Sequence, residues 1–275
     1  MLYSLIATVI VDDAAELAPT TGHFAHALFL DLVRQVDPEL AEALHAPSDR
    51  KPFTVSPVLH EVEDRPLTGV VRPGQRGRLR FTILDDRVFA ALIQKFRREP
   101  TTVVRAGSAR LTIADVSTVP GGWSGATTLE EISAGARPSR SVTLEFVTPT
   151  SFSLGSGPSG ARLSFFPTAT LVFNALRRRW DKLAGPALDE RLEPLLSQQL
   201  VETGYDLRTL ALQMDHRPEI GFVGWCRYEA KGVGWDDDTL RQLNALADVA
   251  FYTGVGRKTT MGMGQTRRIR GMVRE

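Results

Sequence analysis

Only one of the 275 residues is a cysteine, Cys226, so no internal disulfide can form and a single thiol cannot supply the ligand set of a structural zinc site. A reducing, cytoplasmic setting is the simplest fit. An excess of either charge is also missing: 33 Lys and Arg against 32 Asp and Glu leave a formal +1, so only the placement of charges can argue for a polyanionic partner. No apolar run reaches the roughly 20 residues a bilayer span needs, and residues 1–11 carry neither a basic leader nor a small-residue cleavage site. A soluble, untargeted protein with no membrane contact is expected. G-x-x-x-x-G-K-[ST] and G-x-S-x-G are absent, and no His, Cys and carboxylate grouping has metal-ligand spacing, so neither a metal nor another cofactor is predicted. What remains is ordinary globular composition, 43% hydrophobic and 24% charged, which excludes disorder, collagen and coiled coil.

The pattern of elements is more informative. Residues 1–11 read as a buried strand. GHFAHALFLDLVRQV repeats apolar residues at helical spacing, with Ala25, Leu28, Phe29, Leu32 and Val36 inward and His23, His26, Leu30 and Arg34 on the other side. Asp37-Pro38 starts a short second helix, because Asp accepts from free first-turn amides and Pro is tolerated at the first helical position; His45 falls at its end. Strands at 53–62 and 77–85, a helix at 87–99 and an extended stretch at 102–118 complete a βαββαβ order. The Gly, Ser, Thr and Pro composition of 121–140 predicts a loop or domain crossing. The order then repeats: a strand at 141–148, a flexible excursion at 153–161, a helix at 168–183, strands near 205–213 and 219–230, a helix at 236–252 and a last strand at 264–273. The reading is α+β, two tandem ferredoxin-like domains over 1–125 and 140–275, with a glycine-rich loop before the last strand.

That loop, Gly254-Val-Gly-Arg-Lys-Thr-Thr-Met-Gly-Met-Gly264, is the most unusual stretch. Glycines there allow positive φ and close approach to a ligand, and successive amides can form an anion-binding concavity beside Arg257 and Lys258. A plain helix-to-strand turn with two solvated cations would use the same residues.

FYTGVGRKTTMGMGQ (251–265) resembles the signature glycine loop of the CRISPR repeat-processing endoribonucleases, members of the RAMP superfamily. DPELAEALHAPSDRKPFTVSP (37–57) is similar to a second, distant motif of those enzymes: a Pro, a helix ending Leu-His, and a Lys just before a Phe-Thr strand. The resemblance implies CRISPR repeat RNA as partner and an enzyme that cuts precursor transcripts within each repeat. The matching His45 is then the general acid/base, and the matching Lys51 stabilises the transition state. Some relatives carry a catalytic Tyr in the first helix, where this sequence has Leu30; His26, on the same helix surface, is the candidate for a separate base.

The residues agree with this on chemical grounds. Cleaving RNA without metal requires removing a proton from a 2′-hydroxyl, protonating a 5′-oxygen, and neutralising a phosphorane between them, for which a His and a fixed cation suffice. The products would be a 2′,3′-cyclic phosphate or 3′-phosphate and a 5′-hydroxyl. A His at a helix C-terminus also serves as an ordinary dipole cap, and that reading of His45 stays open. The candidate RNA contacts are Gly254, Gly256, Arg257, Lys258, Thr259, Gly262 and Gly264 of the loop, Arg267 and Arg268 of the last strand, and Arg178 of the Arg-rich helix at 168–183. His60 and His216 receive no role. Other CRISPR effector subunits and a second copy of the chain are further candidate partners. The main alternative is a non-catalytic RAMP-type subunit that holds guide RNA; the retained His45 and Lys51 pair favours the enzyme, and loss of His in this region would have favoured the binder. A generic single-stranded RNA module has no RNP1-like sequence behind it.

Overall fold

The computed structural model describes residues 1–48, 51–157, 160–214 and 217–270. They form two compact units: one of the described residues within 1–127, 212–218 and 258–263, the other of those within 128–211, 219–257 and 264–270.

In the first unit the chain runs through β1 (Leu2–Val11), β2 (Ala15–Leu17), α1 (Gly22–Arg34), α2 (Pro38–His45), β3 (Phe53–Val55), β4 (Leu59–His60), β5 (Gly69–Val71), β6 (Arg76–Ile83), α3 (Asp86–Arg98), β7 (Thr102–Ala106), β8 (Ala109–Ser117) and β9 (Gly125–Thr127). Its main sheet has the order β3-β6-β1-β8-β7, with β4 also on β6 and β9 on the start of β1. Apart from the added outer strand β7 and these short pieces, this is the 4-1-3-2 order of a ferredoxin-like sheet. Along β1, Leu5, Ala7, Val9 and Val11 alternate into the core, as period-2 side chains of a half-buried strand must. Phe29 of α1 stacks on Phe53 at 4.1 Å and tilts onto Phe81 at 5.5 Å, which nails the helix to β3 and β6.

The second unit contains α4 (Leu129–Gly135), β10 (Ser141–Thr150), β11 (Phe152–Gly157), β12 (Gly160–Ser164), α5 (Ala169–Lys182), α6 (Leu192–Gln198), β13 (Leu200–Met214), β14 (Arg217–Ala230), α7 (Asp237–Thr253) and β15 (Thr266–Ile269). Its sheet order β13-β14-β10-β15 is again 4-1-3-2, so the two tandem ferredoxin-like domains expected from the element order are present. Leu240, Leu243, Leu246, Ala247 and Ala250 of α7 are buried as the helical spacing requires.

Three local expectations are corrected. The 121–140 segment is not a bare loop: β9 pairs with β1, and α4 starts at a capping box in which Thr128 Oγ1 accepts from Glu131 N at 3.1 Å and Glu131 Oε2 accepts from Thr128 N at 3.0 Å. The 153–161 excursion is an antiparallel hairpin in which Phe152 pairs with Ser164, residues 158–159 lying outside the described residues. Leu30 of α1 does not face away from the core but is 4% exposed, because α1 packs against α2 and a 3-10 turn, Thr259–Met261, as well as against its sheet. Helix α6 was not expected. Residues 271–273 of the expected last strand, and His216, lie outside the described residues.

Candidate active site

Three elements of the first unit bring the predicted catalytic residues together. Helix α2 begins where Asp37 accepts from Leu40 N at 2.9 Å and ends at His45, beyond which Ala46 is extended. Leu40, Ala41 and Leu44 are buried, so the helix is held by its apolar side and His45 stays exposed at its C-terminal end. The chain then returns to β3, where Phe53 pairs with Ile83 and is 1% exposed. Lys51 stands two residues before Phe53 and reaches back to α2: its Nζ donates to Leu44 O and to Ala46 O, both at 2.5 Å. These carbonyls flank His45 and belong to the negative end of the helix dipole, which suits a cation. Among the described residues these two carbonyls take two of the three ammonium donors. Burial pulls the Lys51 pKa below its ordinary value.

His26 comes to the same place from α1. Its ring lies 5.8 Å from that of Phe53, and its Nδ1 is 2.8 Å from the carbonyl oxygen of Thr260 in the 3-10 turn. Burial pushes its pKa below the ordinary imidazole value; the Thr260 carbonyl opposes that shift, while Lys51, His45 and His23 reinforce it. The half-buried ring therefore holds a proton less readily than a free imidazole. Leu30, one turn further along α1, is enclosed in apolar packing and offers no proton-transfer group.

The glycine-rich segment divides between the units. Gly254 and Gly256 flank Val255 in the second unit, with φ of 61° and 84°. A Cβ on Gly256 would stand 2.5 Å from Ser151 O, so that glycine is required by the neighbouring backbone itself. Arg257 donates from its amide to Ser151 O at 3.0 Å, and its guanidinium pairs with Glu219 at 3.2 Å. Lys258 and Thr259 enter the 3-10 turn grouped with the first unit, Lys258 in the left-handed region at φ 52° and Thr259 buried. Gly262 and Gly264 follow with φ of 87° and 72°.

The arginines of β15 are engaged in their own unit. Arg267 pairs with Glu145 at 2.7 Å, and Arg268 bonds to Asn244 and sits 3.4 Å from Asp248, which also holds Arg270 at 2.9 Å. On α5, Arg177 pairs with Glu193 at 3.1 Å, whereas Arg178 is exposed. Sequence reasoning missed Thr260 altogether: a backbone acceptor leaves no mark in residue type. Among the described residues no three or more His, Cys, Asp and Glu are grouped to hold a metal ion.

The same architecture recurs in solved structures. A Cas6 product complex is 28% identical with a TM-score of 0.81, covering 98% of this chain and 99% of its own. A second Cas6 product complex is 25% identical with a TM-score of 0.76 over 98% and 99% of the two chains. Thermus thermophilus Cas6 is 27% identical with a TM-score of 0.73, covering 98% of each. No curated protein matches the sequence. The family model for the CRISPR Cas6 N-terminal domain matches residues 1–132, and that for CRISPR-associated endoribonuclease Cas6 matches residues 144–266. With both family models matched in sequence order and the architecture shared over nearly all of its length, the chain belongs to the Cas6 family of CRISPR-associated endoribonucleases.

Proposed function

We propose that this protein cleaves CRISPR precursor RNA within its repeats without a metal ion, by attack of a 2′-oxygen on the adjacent phosphate. The observation that carries the reading is the Lys51 ammonium clamped onto the carbonyls either side of His45, with the half-buried ring of His26 in the same electrostatic neighbourhood. His26 Nε2 takes the proton of the 2′-hydroxyl as the oxygen bonds to phosphorus. The remaining N–H of Lys51 meets the charge that builds on the non-bridging oxygens. The bond from phosphorus to the 5′-oxygen breaks as His45 gives that oxygen a proton. The products are a 2′,3′-cyclic phosphate and a 5′-hydroxyl, and the proton lost by the nucleophile equals the one gained by the leaving group.

The test is cleavage of repeat RNA in excess EDTA, alongside a substrate with a single 2′-deoxy nucleotide at the cut. Full activity in chelator and none on the deoxy substrate are expected. Activity that returns only with a divalent ion, or a cut deoxy substrate, overturns the mechanism.

A further inference from the structure

The partner of the His26 ring is a main-chain carbonyl, and this settles more than orientation. A carbonyl oxygen only accepts, so at the 2.8 Å separation Nδ1 carries the hydrogen, and in the neutral ring the lone pair falls on Nε2. The titratable groups acting on the ring, Lys51, His45 and His23, all oppose its protonation, so the neutral form is the one whose tautomer matters.

The turn that presents this carbonyl is held from both sides. Lys258 O accepts from Met261 N at 2.8 Å and from Met263 N at 3.3 Å, closing the turn on itself. It also lies directly on the first residue of α1: a Cβ on Gly22 would stand 2.1 Å from Met261 O, and a Cβ on Gly262 would stand 3.0 Å from Gly22 Cα and 3.2 Å from Pro57 Cδ. The backbones meet at a distance only paired glycines allow, four residues before His26 on the same helix.

We infer that the Thr259–Met261 turn of the glycine-rich segment is a positioning element for His26, its Thr260 carbonyl selecting the tautomer that leaves Nε2 as proton acceptor. This rests on the reading of His26 as the base. It places part of a loop expected to contact RNA in the service of the chemistry, as a second partner that fixes an imidazole tautomer does in other proton-transfer sites.

Nitrogen-15 NMR of the histidine rings in the full chain reads the tautomer directly, and the hydrogen of neutral His26 is expected on Nδ1; a hydrogen on Nε2 overturns the inference. Gly22→Ala should drive Met261 and Thr260 away, mix the two tautomers and lower the single-turnover rate about 10- to 100-fold with RNA affinity kept. A purely structural role would lower the melting temperature and leave the tautomer and the rate of the folded fraction unchanged, and that result also overturns it. If Gly22→Ala does not fold, the wild-type ring spectrum alone decides. His26→Ala separates the two layers: a silent His26→Ala defeats the base reading itself, whereas a slow His26→Ala with wild-type hydrogen on Nε2 keeps the base and defeats only the positioning role.

Discussion

The Nζ of Lys51 lies 2.5 Å from the carbonyl oxygen of Ala46, the residue that follows His45, and equally close to that of Leu44, which precedes it. The lysine therefore braces the helix end that carries the histidine and presents charge beside it. Lys51→Ala should slow single-turnover cleavage about 100-fold or more and also lower the melting temperature slightly, since two end carbonyls lose a donor. Lys51→Arg should restore the melting temperature more than the rate, because a planar guanidinium cannot reproduce the same three-directional donation. A rate for Lys51→Ala equal to wild type would remove it from the chemistry.

His45→Ala should lower the single-turnover rate by roughly 10²–10⁴-fold, the usual worth of a positioned general acid, while the fold is untouched because the side chain is exposed at its helix end. RNA affinity measured by filter binding should change little. Unchanged cleavage would leave His45 as a dipole cap only.

The pH dependence follows from His26. As the proposed base, His26 would work only when neutral, and burial first, with Lys51, His45 and His23 adding to it, pushes its pKa below the ordinary imidazole value. Activity should thus rise with pH along a limb centred below the ordinary imidazole value. Removing a cation relieves part of the depression, so residual activity of Lys51→Met should show the limb displaced to higher pH. A limb that stays in place would separate the lysine from the ring electrostatically. Because the folded ring binds its proton less tightly than the unfolded one, stability should fall as pH drops from about 6.5 towards the lowered value.

The arginines should separate into two groups in a salt titration of RNA binding. Arg178→Ala removes an exposed cation and should flatten the logarithmic salt dependence by up to about 0.9 for a duplex phosphate contact, or about 0.7 on a single strand. Arg268→Ala instead breaks a half-hidden network with Asn244 and Asp248 and should cost about 1–3 kcal/mol in urea unfolding with the salt slope nearly unchanged. A reversed pattern would mean that the β15 network opens to meet RNA.

Helices with a clear stripe were legible in the sequence: α7 and α3 appear within a residue or two of where periodicity puts them. Helix α4 was hidden because Gly and Ser dominate its surroundings, although Thr128 and Glu131 carried the spacing of a capping box in plain view. The β11 and β12 hairpin escaped for a similar reason, since Gly155, Gly157 and Gly160 lower strand propensity while cross-strand pairing overrides it. At the site, His45 and Lys51 were singled out by the resemblance of residues 37–57 to a family motif, the helix end alone leaving His45 readable as a dipole cap. The bond from His26 to Thr260 could not, since it spans 234 positions and its acceptor is common to every residue type.

That span also sets an order of events. The first unit takes in Lys258–Met263, so it is not finished when its own continuous stretch ends at Thr127. A nascent chain can fold its first sheet, bury Phe29 and Phe53, and bring Lys51 onto α2 long before the turn that faces His26 has been synthesised. A fragment ending at Thr127 would carry all three predicted catalytic side chains and lack the carbonyl that orients one of them. The site proposed for proton transfer is therefore complete only once Thr260 has been made, and a half-made chain holds His45 and Lys51 with His26 still unoriented.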